Sequence, residues 1–192
     1  MNVLSKFLSK KVKAIEVTTP TSISDLLYKM AQTGFQGRKL AEVTEIIEKM
    51  IKDEDVTIMM GLAGSLSVAG QWKIINWFIE NNFIDVLVST GANISEDIVE
   101  AMGFSYYQGH HLVNDKELFK IGVNRYYDVY GREDDYLKMT ELIAEFIQTL
   151  NENYKYSSRE FLYLFGKYLC KKGIKSIVAV AAKKKCRFSV QR

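Results

Sequence analysis

The sequence predicts an α/β fold built on a parallel sheet with flanking helices, and three observations carry that prediction. Two short apolar runs, "DVTIMMG" (55–61) and "IDVLVSTG" (84–91), read as buried strands, the second markedly β-branched, and each ends at a glycine. A helical pattern, "AGQWKIINWFIENN" (69–82), separates them and puts Ile75, Phe78 and Ile79 on one stripe. A further helical pattern, "ISEDIVEAMG" (94–103), follows with acids in its first turn, where the helix dipole favours them. Strand, helix, strand, helix with short connections is a βαβ unit, whose strands run parallel.

The remaining elements follow in order. Ser22, with Asp25 three residues on, is a capping-box-like start for a helix through about Gln32, closed by Gly34. Leu40, Val43, Ile46, Ile47, Met50 and Ile51 recur at helical spacing, which predicts an amphipathic helix over 38–52. From 104 to 133 the pattern loosens into turns around "YYQGHHLVND" and "VNRYYDVYGRED". Helices are predicted over 134–151 and 157–171. "KSIVAVAA" (175–182) is apolar throughout and reads equally as a third strand or a buried helix.

At 192 residues the chain suits one domain. No segment is apolar for the roughly 18 residues that a membrane span needs, and "MNVLSKFLSKKVKAIEV" is a poor signal peptide. Cys170 and Cys186 stand 16 apart without a CxxC pairing, which argues for a reducing cytoplasm and against a disulfide framework or a zinc site. The net charge of +3 is unevenly placed: residues 171–192 hold eight of the 26 basic residues and no acid, leaving 18 basic against 23 acidic residues before them. The body is mildly acidic, and neither a nucleic-acid partner nor a membrane is expected.

In an open α/β sheet, ligands bind beyond the carboxyl ends of the strands. Two such ends are visible, "GLAGSLSVAG" (61–70) and "STGANISED" (89–97). Gly61, Gly64 and Gly70 permit tight turns, Ser65 and Ser67 supply hydroxyls, and the following helix aims free N–H groups at the same place, where phosphate binds well. The spacing is not G-x-G-x-x-G, so an ordinary βα turn remains the competing reading. Glu96 opens a helix at this crevice and suits a ribose hydroxyl or a cationic amine. Asp97 reads as well as a dipole-complementing acid. The adjacent His110 and His111 point in different directions and make a poor metal pair, so loop filler is expected. Tyr106, Tyr107, Tyr126, Tyr127 and Tyr130 read as packing.

"TGFQGRKLAEV" (33–43), "TIMMGLAGSLSVAG" (57–70), "FIDVLVSTGANISEDIVEAMG" (83–103), "KELFKIGVNRYYDVYG" (116–131) and "SSREFLYLFGKYL" (157–169) occur in this order and spacing. Together they resemble the deoxyhypusine synthase family, with "STGAN", "YYQG" and "NRYYDVYG" most similar to its bacterial deoxyhypusine synthase-like branch. The resemblance implies a Rossmann-like parallel sheet, here the N-terminal part of the family's fold. It implies NAD-dependent transfer of an aminobutyl group from spermidine, through an enzyme lysine, to an acceptor amine. The acceptor is either a lysine of the hypusine-bearing translation factor or a polyamine. It further implies a cytoplasmic homotetramer with sites at subunit interfaces.

Carried over by motif, Gly64, Ser65, Leu66, Ser67 and Val68 match the first cofactor-contacting segment, and Thr90, Gly91 and Ala92 the second. Glu96 matches an acid at the edge of the cofactor and polyamine sites, while Ser95 stands where well-known members have a second acid. The family's catalytic lysine lies in a C-terminal region to which nothing here corresponds, Lys183 to Lys185 included. The expectation is a single NAD-binding domain, 1–192, shortened at its C-terminal side, with 1–20 as an N-terminal extension and 186–192 as an out-of-frame tail. Shifting Lys185 to Arg192 by one base can restore a family-like apolar strand. Such a chain is expected to be inactive alone, poorly soluble through an uncovered sheet edge, or, alternatively, a regulatory paralogue that associates with a full-length family member.

Overall fold

The computed structural model describes residues 10–190. Residues 1–9 of the expected extension and 191–192 of the expected tail therefore lie outside the described residues. The chain forms two compact units that meet in sequence at Val56 and Thr57.

The first unit is a pair of helices, α1 (Ile23–Met30) and α2 (Phe35–Lys52). Ser22 caps α1 as its spacing predicted, its hydroxyl accepting the Asp25 N–H at 3.0 Å. The Lys13 N–H donates to the Gln32 carbonyl at 2.9 Å and holds the preceding segment against the end of α1. Of the apolar residues on α2 only Ala41 is buried, while Leu40, Val43, Ile46 and Ile47 are exposed.

The second unit holds two sheets. Strands β1 (Met59–Leu62), β2 (Val86–Ser89) and β6 (Arg187–Val190) form a parallel sheet in the order β1-β2-β6. Met60, Leu87 and Phe188 stand in register across it, as do Leu62, Ser89 and Val190. Asp85 ties all three strand starts together: its carboxylate accepts the Ile58 N–H at 2.7 Å and its carbonyl the Arg187 N–H at 2.9 Å. Helices α3 (Trp72–Glu80), α4 (Gly91–Ala101), α6 (Glu133–Ile147), α7 (Ser158–Lys171) and α8 (Ile177–Lys184) surround it. Their inward residues Ile79, Ile98, Phe146, Phe165, Leu169 and Val178 share one core with Leu87 and Phe188.

Several elements differ from the sequence prediction. The "KSIVAVAA" stretch is helix: Ser176 caps α8 by accepting the Ala179 N–H at 3.1 Å, and residues 177–182 are all buried, so no polar face marks the period. The tail, expected to be out of frame and without a role, supplies β6, with Phe188 in the core. Residues 104–133 are not turns alone. They hold a second, antiparallel sheet of β3 (Tyr107–Gln108), β5 (Val129–Arg132) and β4 (Val123–Tyr126), with the short helix α5 (Asp115–Lys120) before it. Strands of two to four residues are too short to show an alternating pattern.

Helix α7 begins at a full capping box, Ser157 with Glu160. It packs on α8 through Gly166, where a Cβ would come within 2.4 Å of the Val178 carbonyl oxygen and 2.6 Å of the Ala182 Cβ. Even one methyl group forces the two helices apart. We expect Gly166→Ala to destabilise the unit by about 1–3 kcal/mol, the usual penalty of overpacking, read as a lower urea midpoint at unchanged slope.

Candidate functional site

The carboxyl ends of β1 and β2 lie side by side, with the Thr90 N–H donating to the Leu62 carbonyl at 3.1 Å. Helix α4 starts immediately, with Thr90 in extended conformation at its N-cap and Gly91 as its first residue. It thus begins three residues earlier than predicted, because Gly91 looked like strand punctuation. Glu96 and Asp97 consequently lie in its second turn, and its first turn holds no acid. Complementing the dipole is therefore not their role.

The loop after β1 bends sharply at Gly64 (φ +84°) and Ser65 (φ +52°). Two consecutive residues in the left-handed region are easy for glycine and strained for serine. Asn93, fully buried, holds this loop. Its amide oxygen accepts the Leu66 N–H at 2.8 Å, its amide nitrogen donates to the Thr90 hydroxyl at 2.9 Å, and its carbonyl accepts the Ser67 hydroxyl at 2.8 Å. Sequence reasoning passed over Asn93, although the Thr90-x-x-Asn93 spacing is that of a capping pair.

Of the residues matched by motif, Gly64, Gly91 and Ala92 are exposed, Ser65, Leu66 and Thr90 are half-buried, and Ser67 and Val68 are buried. The Ser67 hydroxyl belongs to the loop-to-helix seam. Ser95 donates back to the Ala92 carbonyl at 2.9 Å, and with Gly91, Ile98, Phe161, Phe165 and Val190 it lines a groove of about 460 Å³. Glu96 faces the other way. Its side chain is only 2% exposed with residue neighbours Ser65 and Val68, and one carboxylate oxygen, Oε2, has no partner. Burial raises its pKa, and the Ser65 hydroxyl and Val68 N–H offset part of that rise. A second groove, about 560 Å³, opens beside Val68, Gly70, Glu100 and Tyr106. A larger one, about 1400 Å³, runs along α7 and α8 among Tyr168, Ile174 and Lys183, and shares no residue with the two loops.

Asp97 is also fully buried. Its Oδ2 accepts the Ile177 N–H at 2.7 Å, which pins the start of α8 to α4 across 80 residues of sequence. The tyrosines divide. Tyr107 and Tyr127 are exposed, while Tyr106 and Tyr126 turn inward toward Tyr136. The histidines do not point in different directions. The chain turns at 110–113, so their exposed rings stack at 4.7 Å and His111 stacks again on Tyr127 at 5.1 Å. No cluster of metal-ligating side chains occurs among the described residues, and no helix there is long and apolar enough to cross a membrane.

A parallel sheet with a positive-φ glycine loop, a helix N-terminus and a buried acid at its strand ends defines an α/β protein with these features gathered at the end of the sheet where ligands bind in open α/β folds. The family model described as deoxyhypusine synthase matches residues 25–188, and the chain belongs to that family. A protein assigned as deoxyhypusine synthase 2 in Methanosarcina mazei is 46% identical over 152 residues, 79% of this chain and 44% of its own length. A counterpart from Archaeoglobus fulgidus is 47% identical over 156 residues, 81% of this chain and 52% of its own. The deoxyhypusine synthase-like protein of Chlorobaculum tepidum is 38% identical over 169 residues, 88% of this chain and 48% of its own. The chain thus spans about half the length of these relatives. A crystal structure from Entamoeba histolytica, titled as a deoxyhypusine synthase, shares the fold with a TM-score of 0.60 at 18% identity, covering 93% of this chain and 63% of that one.

Burial pushes Asp97 well above the usual carboxylate range, and the Ile177 N–H offsets part of the rise. A carboxyl group raised in the folded state favours folding below its unfolded value near 3.8 and loses that contribution as pH rises through its folded value. Wild type should therefore lose stability relative to Asp97→Asn as pH goes from about 4 to about 8. Urea midpoints of both proteins against pH test this, and a constant gap between them contradicts it.

Proposed function

We propose that this chain forms the cofactor-holding part of an NAD-dependent transferase that moves an aminobutyl group from spermidine, or a related polyamine, to an acceptor amine. The observation that carries the reading is Glu96, a buried carboxylate whose second oxygen has no partner, set against the Gly64–Ser65 turn. An unpaired buried polar atom costs about 1–3 kcal/mol, so a ligand that donates to it binds favourably. Family membership supports the choice of ligand.

The residues fit a dinucleotide. The Gly64 to Val68 loop and Thr90 would hold it, and the first N–H groups of α4, at Gly91 and Ala92, would be offered to its phosphates. Glu96 accepts from a sugar hydroxyl or from an amine of the polyamine. When bound, NAD supplies the hydride acceptor and donor that this chemistry needs. Ser95 replaces an acid on the other face of α4 and donates to the helix backbone, so it contributes no charge to a polyamine site. No lysine among these residues matches the family's catalytic one. Within this reading the chain alone holds the cofactor without completing transfer, and assembly follows, either as a homo-oligomer or with a full-length family member. The acceptor is a polyamine or a protein lysine.

Titration calorimetry of the purified chain with NAD is expected to show saturable binding of one molecule per chain. Glu96→Gln should weaken it about tenfold, as loss of a charge-assisted hydrogen bond does. Absence of saturable binding overturns the cofactor reading, and spermidine-dependent NADH formation by the chain alone overturns the assignment of the lysine elsewhere.

A further inference from the structure

Two phenol hydroxyls stand in line behind Glu96, with the ring of a third tyrosine packed on them. Tyr106, between α4 and β3, donates to the Glu96 carbonyl at 3.1 Å, and its oxygen lies 2.8 Å from the hydroxyl of Tyr136 on α6. A phenol has one proton to give. Tyr106 has given its own to Glu96, so it accepts from Tyr136. Tyr126 of β4 contributes its ring, which stacks on Tyr136. Both protons point one way, from Tyr136 through Tyr106 to the Glu96 carbonyl. Hydrogen bonds in such a chain polarise and strengthen one another.

The rings are fixed as well as the hydroxyls. Tyr126 meets Tyr106 edge-on at 6.2 Å and stacks on Tyr136 at 6.2 Å. Burial first, then the neighbouring phenols, and last nearby carboxylates that include Glu96 raise all three far above their ordinary range. They remain donors at any working pH. The chain ends on a carbonyl, which is not a base, so it conducts no proton. Its effect is mechanical. It joins the α4 turn that bears Glu96 to β4 and α6, neither of which belongs to the cofactor loops.

We propose that Tyr106, Tyr136 and Tyr126 are positioning residues that fix the second turn of α4, holding the Glu96 carboxylate against the Gly64–Val68 loop with one oxygen left for a ligand. The proposal rests on the cofactor reading for the identity of that ligand. The carboxylates that act on these tyrosines are Glu96 and Glu100 of α4 and Glu133 of α6. The loop brings the Ser65 hydroxyl and the Val68 N–H.

Tyr106→Phe keeps the ring and removes the terminal link, and Tyr136→Phe breaks the chain one link back. Tyr130→Phe removes a phenol that bonds the His110 backbone instead and serves as the control. The full chain carries glutamate labelled with carbon-13 at the side-chain carboxyl, and Glu96 is assigned by the signal lost in Glu96→Gln. Tyr106→Phe is expected to lower the Glu96 titration midpoint toward the ordinary carboxylate range, because a loosened turn admits water. It should also weaken NAD binding about fivefold, the size of one lost hydrogen bond. Tyr136→Phe should shift both in the same direction and decides the matter if Tyr106→Phe does not fold. An unmoved midpoint in the folded variant, or an equal shift in Tyr130→Phe, overturns the positioning role. If wild type binds no NAD, the cofactor reading falls, and the Glu96 midpoint alone then decides the proposal.

Discussion

Helix α4 is buried along most of its length, yet it carries three polar side chains, Asn93, Glu96 and Asp97, that are each at most 2% exposed. Each buried polar atom needs a partner or costs about 1–3 kcal/mol, and that requirement organises the second unit. Asn93 finds partners in the loop after β1 and so fixes its path. Asp97 finds one in the first N–H of α8. Tyr106 reaches the carbonyl of Glu96 from outside the helix. One turn and a half of helix thereby fixes a loop, a second helix and a tyrosine cluster. The hydrophobic core supplies the driving force but, being non-directional, does not specify these placements.

One oxygen of Glu96 and one of Asp97 lack partners within this arrangement. The two differ in consequence. The Asp97 carboxylate is enclosed among α4 and α8, so its free oxygen bears on stability and its dependence on pH. The Glu96 carboxylate lies against the strained loop after β1, and burial raises both acids.

Legibility followed local signal. Ser22 announced a helix start, because a cap is a contact between residues three apart. The β1 and β2 ends were legible because a buried parallel strand is an apolar run closed by a turn. The start of α4 was misplaced because Gly91 serves a helix as readily as a turn. The antiparallel sheet went unseen because its strands are too short for a period, and α8 stayed ambiguous because burial on all sides removes one. The bonds of Asn93 to the loop after β1 and of Tyr106 to Tyr136 gave no signal, since those partners stand 27 and 30 residues away.

The sequence by itself determined the α/β class, the glycine-closed ends of β1 and β2, and the family. All of these depend on local composition or on motif order along the chain. Only the tertiary structure decided that Ser95 lines a groove while Glu96 is buried against the loop after β1, that Asp97 pins α8, and that residues 187–190 form the third strand of the parallel sheet. Those outcomes depend on which groups meet across long stretches of chain, and on burial that makes each meeting obligatory.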